Sequence, residues 1–258
     1  MKVFGKSDIG TVRKVNEDAF GIKEIADNAL LAVVCDGMGG LDLGDVASKL
    51  ALETFMEIVE RLCQTHIKDG KLSLSEKEAD LILFNAVTVA NNKVISKQEE
   101  VDISEGMGTT LVAALIQNGG KKISWANIGD SRLYTVDSRD ILQVSKDHSY
   151  IQYMLDQGKM TLAEAKKSKK KNLITRAIGI DVTCEPDIDT FPLSAQEIEE
   201  TKILLCSDGF SNAVSEKECS KIALSASLDI SEKVEKLVAL AKKNNGSDNI
   251  TLIMIELG

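Results

Sequence analysis

Twice in this 258-residue chain an apolar run ends on Asp-Gly, at LAVVCDG (31–37) and at ILLCSDG (203–209). Ala32, Val33, Val34 and Cys35 form a continuous apolar stretch bounded by glycines, which fits a short strand covered on both faces. A buried carboxylate is costly unless a cation or hydrogen-bond donors compensate it, so each run must bring its aspartate to a strand mouth. Asp36 is then either a turn-starting residue or a ligand aimed into a site. Gly37, Gly39 and Gly40 suit both roles, since they let the backbone turn sharply and approach a ligand closely.

Two further aspartates have strand-end contexts. Asp248 in NNGSDNITLIMI sits immediately before a strand, and Asp130 in ANIGDSRLY lies between two. Converging aspartates repel one another, and a hard divalent cation removes that repulsion. All-oxygen ligands favour Mg²⁺ or Mn²⁺ over zinc, and only His66 and His148 are present to serve a histidine site. Two metals sharing a bridging carboxylate would activate a water and clamp an in-line displacement at phosphorus. Such a substrate needs a cationic partner, and DIGTVRKVNEDAF (8–20) supplies Arg13 close to Glu17 and Asp18. The guanidinium can hold phosphate oxygens bidentately; on its own, the segment reads better as an ordinary surface salt bridge.

The remainder of the chain bounds these readings. Hydrophobic residues make up 43% of the sequence, enough for a sizeable core, yet no run approaches the roughly 20 residues of a membrane span. MKVFGKSDIG lacks the apolar core of a signal peptide, so a cytoplasmic protein is expected. The five cysteines are odd in number and unpaired by motif, which predicts reduced, mostly buried thiols. A net charge of -9 disfavours nucleic acid and anionic membrane, and KKSKKK (166–171) reads as a solvated face.

Helical periodicity marks residues 45–63, with Val46, Leu50, Phe55, Val59 and Leu62 on one side. A second helix carries Ala79, Ile82, Leu83, Ala86, Val87, Ala90 and Val94 behind the capping pattern Ser75–Glu78. TTLVAALI (109–116), KISWANI (122–128), SRLYTV (131–136) and ILQVS (141–145) predict an antiparallel meander. A polar helical stretch over 150–171 carries a second capping pattern, Thr161–Glu164. The strand at 202–208, a helix near 231–243 and a last strand at 249–257 complete an apolar β core with amphipathic helices around it.

DIGTVRKVNEDAF, VVCDGMGG, GMGTTLVAAL, ANIGDSRLYTV, DHSYIQYMLDQGKMTLAEA, NLITRAIG, LLCSDGFSNAV and GSDNITLIMI follow one another in a recognisable order. Together they resemble the metal-dependent serine/threonine phosphatases of the PPM, or PP2C, family, in particular its compact bacterial branch. The resemblance implies an α+β fold: a four-layer α-β-β-α sandwich of two antiparallel sheets, as a single domain over 1–258 with a flap at about 149–172. It implies hydrolysis of phosphoserine and phosphothreonine by a metal-bridging water, with two Mn²⁺ or Mg²⁺ ions. By motif, Asp36 would bridge both metals, the Gly37 carbonyl would bind the first, and Asp208 and Asp248 the second. Asp130, shared with Asp208, would hold a third, weaker ion. Glu17 and Asp18 would act through metal-bound water, and Arg13 would bind the substrate phosphate. The implied partners are a phosphoprotein and a cognate serine/threonine kinase, and a monomer is expected.

Where many relatives carry histidine in or just after the DG-x-x-G turn, this chain has Met38 and Leu41. General acid catalysis typically contributes about 10²–10⁴-fold, so slower alkyl phosphoester cleavage is expected, with a metal-bound water supplying the proton. The missing histidine also motivates an alternative, a pseudophosphatase or metal-binding regulatory module that recognises phosphoproteins with little turnover. His148 is expected to be structural and His66 to face solvent at a helix end. A nucleotide-phosphate loop at DGMGG ranks last, because it lacks the GK[ST] ending and Asp42 and Asp45 would repel an anion.

Overall fold

Alternation within Leu30–Cys35 decides the layering: Leu31, Val33 and Cys35 face one apolar cluster, while Leu30, Ala32 and Val34 face another. The computed structural model describes residues 1–40, 43–100, 106–165, 168, 170 and 173–258. Leu41, Asp42 and most of the 166–171 lysine run lie outside the described residues.

In chain order the first half comprises β1 (Lys2–Asp8), β2 (Asp18–Ala26), β3 (Ala29–Gly39), α1 (Gly44–Cys63), β4 (Ile67–Lys68), β5 (Lys71–Leu72) and α2 (Glu76–Glu100). Next come β6 (Met107–Thr109), β7 (Leu111–Gln117), β8 (Lys122–Ile128), β9 (Arg132–Val136), β10 (Ile141–Gln143), α3 (Tyr150–Asp156) and α4 (Leu162–Ala165). The chain ends with β11 (Asp187–Pro192), α5 (Ala195–Glu200), β12 (Lys202–Cys206), α6 (Asp208–Ser211), α7 (Glu216–Ala223), α8 (Ile230–Asn245) and β13 (Ile250–Glu256).

Two antiparallel sheets result, one ordered β1-β13-β12-β9-β10 and the other β11-β8-β7-β3-β2, with β6 extending the pairing of β3. Their inner faces meet through residues such as Val34, Ala114 and Trp125 against Leu133, Leu205 and Ile253. Helices α1 and α2 cover the outer face of the second sheet through Phe55, Val59, Leu83 and Val87. Helices α7 and α8 cover the first through Cys219, Val234, Leu237 and Val238. This is the four-layer α-β-β-α sandwich expected from the sequence. Among the described residues no helix is long and apolar enough to cross a membrane.

Three expectations need correction. The polar stretch over 150–171 is not one helix: α3 ends at Asp156, residues 157–161 are non-helical, and α4 spans only Leu162–Ala165. The meander is broken between β8 and β9: β8 pairs with β7 and β11, whereas β9 pairs with β12 and β10 in the other sheet. The crossing is made at Gly129, whose φ of +107° suits glycine, and a Cβ there would lie 2.5 Å from the Thr110 methyl. On α1 the buried stripe runs through Ala47, Ser48, Ala51, Leu52, Phe55, Ile58 and Val59, and Val46 faces out. Small residues let the helix sit close to the sheet, so bulk misplaced the face by one position. The α2 stripe holds at every predicted position, and the Ser75–Glu78 and Thr161–Glu164 caps both form. Cys35, Cys63, Cys206 and Cys219 are buried thiols, and Cys184 is half-buried.

Candidate active site and metal centre

Strand ends from both sheets open onto one cleft of about 200 Å³ lined by Arg13, Glu17, Asp36, Gly37, Asp130, Asp208 and Asp248. Seven of the eight singled-out residues therefore meet in space. The eighth, Asp18, is buried beneath them and stands directly opposite Asp36 in the β2–β3 ladder. Like charges so placed oppose each other, and the structure shows how they are handled.

Asp36 lies within β3, whose backbone is fixed from β6 and its exit. The Asp36 N–H donates to Thr110 Oγ1 at 3.0 Å, and its carbonyl accepts from Thr109 Oγ1 and Thr110 N, each at 2.9 Å. Thr110 is itself paired with Ser131 at 2.7 Å, which ties the strand at Asp36 to the residue entering β9. Gly37 is required by close approach, since a Cβ there would lie 2.1 Å from the Gly44 carbonyl oxygen. Burial, and after it the charges of Asp18, Asp208, Asp130 and Asp248, holds the Asp36 carboxyl well above the ordinary range.

Asp18 accepts from Thr251 Oγ1 at 2.6 Å and Ser207 Oγ at 2.8 Å, both on Oδ2. Its Oδ1 is buried with no hydrogen-bond partner among the described residues. Burial raises its pKa to about 7; the two hydroxyls pull it down, and Asp208 and Asp248 push it up. Asp130, half-buried at the start of β9, is likewise raised to about 7, by burial first and then by Asp208 and Asp147, against the pull of Arg132.

Arg13 reaches the cleft already engaged. Its guanidinium stands 2.9 Å from Asp248 Oδ1 and 3.3 Å from Glu17 Oε2. Glu17 is fixed on two more sides, its Oε1 accepting the Gly44 N–H at the α1 N-terminus (3.2 Å) and its own N–H donating to Asn249 Oδ1 (2.9 Å). Asn249 also donates to the Ile9 and Val15 carbonyls, each at 3.1 Å, so one side chain pins the 9–17 loop against β13. Asp208 opens α6, where Asn212 Nδ2 donates to its Oδ2 at 3.1 Å.

Thr110, Ser207, Asn249 and Thr251 are the residues that sequence reasoning missed. Each lies within three residues of a recognised aspartate or in the GMGTT motif, and the clustering of hydroxyl and amide side chains there is the available signal. Ile174 also lines the cleft and carries no such signal. His148 takes the structural place expected: it accepts the Gly129 N–H at Nδ1 (3.2 Å) and meets Asp187 with Nε2 (3.1 Å), behind the β8–β9 crossing. His66 is part-exposed beside Glu78, at 3.6 Å.

Among the described residues no group of three or more His, Cys, Asp or Glu side chains forms a ready cation cage. The carboxylates share the cleft without touching, and Arg13 neutralises two of them. Even so, the donor set fits a hard divalent cation: every candidate ligand is oxygen, the Asp36 and Asp130 carboxyls are pushed up by burial first and then by neighbouring carboxylates, and buried Asp18 Oδ1 has capacity to spare.

A sandwich whose strand ends collect aspartates around one arginine defines a class of phosphoester hydrolase, and comparison with known proteins narrows the class. The Protein phosphatase 2C family matches residues 5–246. The serine/threonine phosphatase stp of Listeria monocytogenes is 34% identical over 252 residues, covering 97% of this chain and 94% of the relative. Crystal structures of Stp1 from Staphylococcus aureus (TM-score 0.85, 31% identity, 98% and 93% of the two chains) and of the PstP catalytic domain with two manganese ions (0.76, 30%, 98% and 96%) share the fold. The chain belongs to the protein phosphatase 2C family and is a protein serine/threonine phosphatase.

Proposed function

We propose that the cleft hydrolyses phosphoserine and phosphothreonine in phosphoproteins with two divalent cations, Mn²⁺ or Mg²⁺. Asp36 and the Gly37 carbonyl would hold the first ion; Asp36, Asp208 and Asp248 would hold the second; and Asp130 with Asp208 would offer a weaker third place. The observation that carries this reading is the convergence of four aspartates, Glu17 and Arg13 on one cleft from both sheets. When bound, the cations supply Lewis-acid activation of a water and neutralise charge developing on the phosphoryl oxygens.

The chain's own residues do the rest. Glu17 and Asp18, each anchored on more than one side, orient water at the cleft floor. Arg13 leaves Asp248 to take the substrate phosphate, exchanging one charge-assisted pair for another. The substrate requires prior phosphorylation, so a serine/threonine kinase stands upstream. The reading includes a single domain over 1–258 with its flap at 149–172, acting as a cytoplasmic monomer. No observation favours recognition without turnover. The test is phosphate release from a phosphothreonine peptide with Mn²⁺ and with chelator: release is expected only with metal, and chelator-resistant turnover would refute the reading, because among the described residues the cleft is lined by no Ser or Cys nucleophile with a base.

A further inference from the structure

The segment that returns from α4 towards β11 is fastened to α2 by two carboxamides remote from the carboxylates. Gly179 is captured on both of its backbone groups: its N–H donates to Asn91 Oδ1 at 2.8 Å, and its carbonyl accepts from Gln98 Nε2 at 2.6 Å. Asn91 and Gln98 are two helical turns apart on α2 and share one face. Asn91 Nδ2 also donates to the Asp181 carbonyl at 2.9 Å. Gly179 has φ +88°, and a Cβ there would lie 2.5 Å from Val94 and 2.8 Å from the Met107 carbonyl oxygen, so the strap lies directly on helix and strand.

Gln98 grips a second segment. Its Oε1 accepts the Met107 N–H at 3.0 Å, at the start of β6. Thr109 and Ile178 exchange backbone hydrogen bonds of 3.0 and 2.9 Å, and the Thr109 hydroxyl donates to the Asp36 carbonyl. One amide thus bridges the strand that supports Asp36 and the limb that carries Ile174 into the cleft wall. Apolar burial alone does not hold that limb: Ala177 and Ile178 are buried, but Ile180 and Val182 are exposed.

We propose that Gln98 and Asn91 are positioning residues for substrate recognition: they fix the limb 174–182 so that Ile174 presents a set wall to the part of the substrate beyond its phosphate. This rests on the cleft being the phosphatase site. Asp36 keeps its Thr109 and Thr110 bonds when Gln98 is changed, so the effect falls on KM for large substrates rather than on kcat.

The experiment compares wild type, Gln98→Ala and Gln98→Glu; Asn91 is fully buried and its loss endangers folding. Gln98→Glu keeps an acceptor for Met107 and loses the donor to Gly179. Two readouts are taken with Mn²⁺ present: hydrogen exchange of the Ile178 and Gly179 amides, and steady-state kinetics on a phosphothreonine peptide and on p-nitrophenyl phosphate. Both variants are expected to exchange faster over 178–179 and to raise KM for the peptide about fivefold, the equivalent of one net hydrogen bond. KM for p-nitrophenyl phosphate, held by its phosphate, is expected to move less than about twofold, with kcat little changed for both. Unchanged exchange, equal KM shifts for the two substrates, or a wild-type-like Gln98→Glu would each overturn the proposal. An inert wild type would instead refute the phosphatase reading of the cleft, while exchange would still report whether Gln98 holds the strap.

Discussion

β3 runs on through its aspartate, whereas β12 stops short of its own. After Asp36 the chain stays extended because Gly37, Met38 and Gly39 pair with β6. After Cys206 it turns helical: the Ser207 carbonyl accepts the Phe210 and Ser211 N–H groups, and the Phe210 ring is buried in the core under α7 and α8. The two glycines nevertheless do one job, since a Cβ on Gly37 would lie 2.1 Å from the Gly44 carbonyl oxygen and one on Gly209 1.9 Å from that of Asn249. An apolar run closed by Asp-Gly therefore specifies a tightly packed strand end with a carboxylate at its mouth. The partner available to the next residues decides whether strand or helix follows.

If both ends serve one site, disabling either should be equivalent. Asp36→Asn and Asp208→Asn keep size and remove charge, and each is expected to lower kcat/KM by at least about 10³-fold, the several kcal/mol that a metal centre contributes to transition-state stabilisation. Mn²⁺-dependent release of phosphate from a phosphothreonine peptide measures this. Near-wild-type turnover in either variant would remove that strand end from the site.

The same comparison shows what was legible beforehand. Asp36, Asp208 and Asp248 announce themselves because each interrupts or borders a strand too apolar to be left exposed, a local contrast that sequence records. The Ser75 and Thr161 caps are equally local. The assignment of β8 and β9 to different sheets is not local: both read as half of a hairpin, and which sheet each joins depends on β11 and β12, far along the chain. The pairing of Arg13 with Asp248, 235 residues away, escapes for the same reason. Ile174 reaches the cleft only because α2 straps its limb in place, and neither amide of that strap looks unusual on a helix. Bulk selects Val46 for the inner face of α1, but closeness of approach decides that face, and the small residues Ala47, Ser48 and Ala51 take it.

The ends also differ in how charge is borne, and pH exposes it. Asp18, opposite Asp36, has its pKa raised from 3.8 to about 7, as does Asp130 at the β9 start. A carboxyl raised on folding binds its proton more tightly in the folded state, so its contribution to stability is present below about pH 4 and is lost as pH climbs through about 7. The metal-free protein is expected to unfold at lower urea near pH 7.5 than near pH 5, with Mn²⁺ offsetting the loss by neutralising the cluster and Asp18→Asn flattening the slope. Urea midpoints at the two pH values, with chelator and with Mn²⁺, provide the measurement. A metal-free midpoint that rises between pH 5 and 7.5 would contradict the buried-charge account.

The smallest effects separate the two modes of support. Asp36 is held through its backbone, by the Thr110 hydroxyl, and Asp208 through its carboxylate, by Asn212. Thr110→Val conserves shape but leaves the Asp36 N–H without that acceptor, which is expected to cost about 1–3 kcal/mol of unfolding free energy. Asn212→Ala removes an exposed bond to a group that water can also satisfy, so stability should change by less than about 1 kcal/mol, with Mn²⁺ affinity shifting about two- to threefold. Denaturant melts and Mn²⁺ titration of the two variants test the contrast. If Asn212→Ala proved the more destabilising, the β12 end would depend on its side-chain contact as strongly as the β3 end depends on its ladder, and the distinction between a carboxylate fixed by strand pairing and one fixed by a neighbouring side chain would fall.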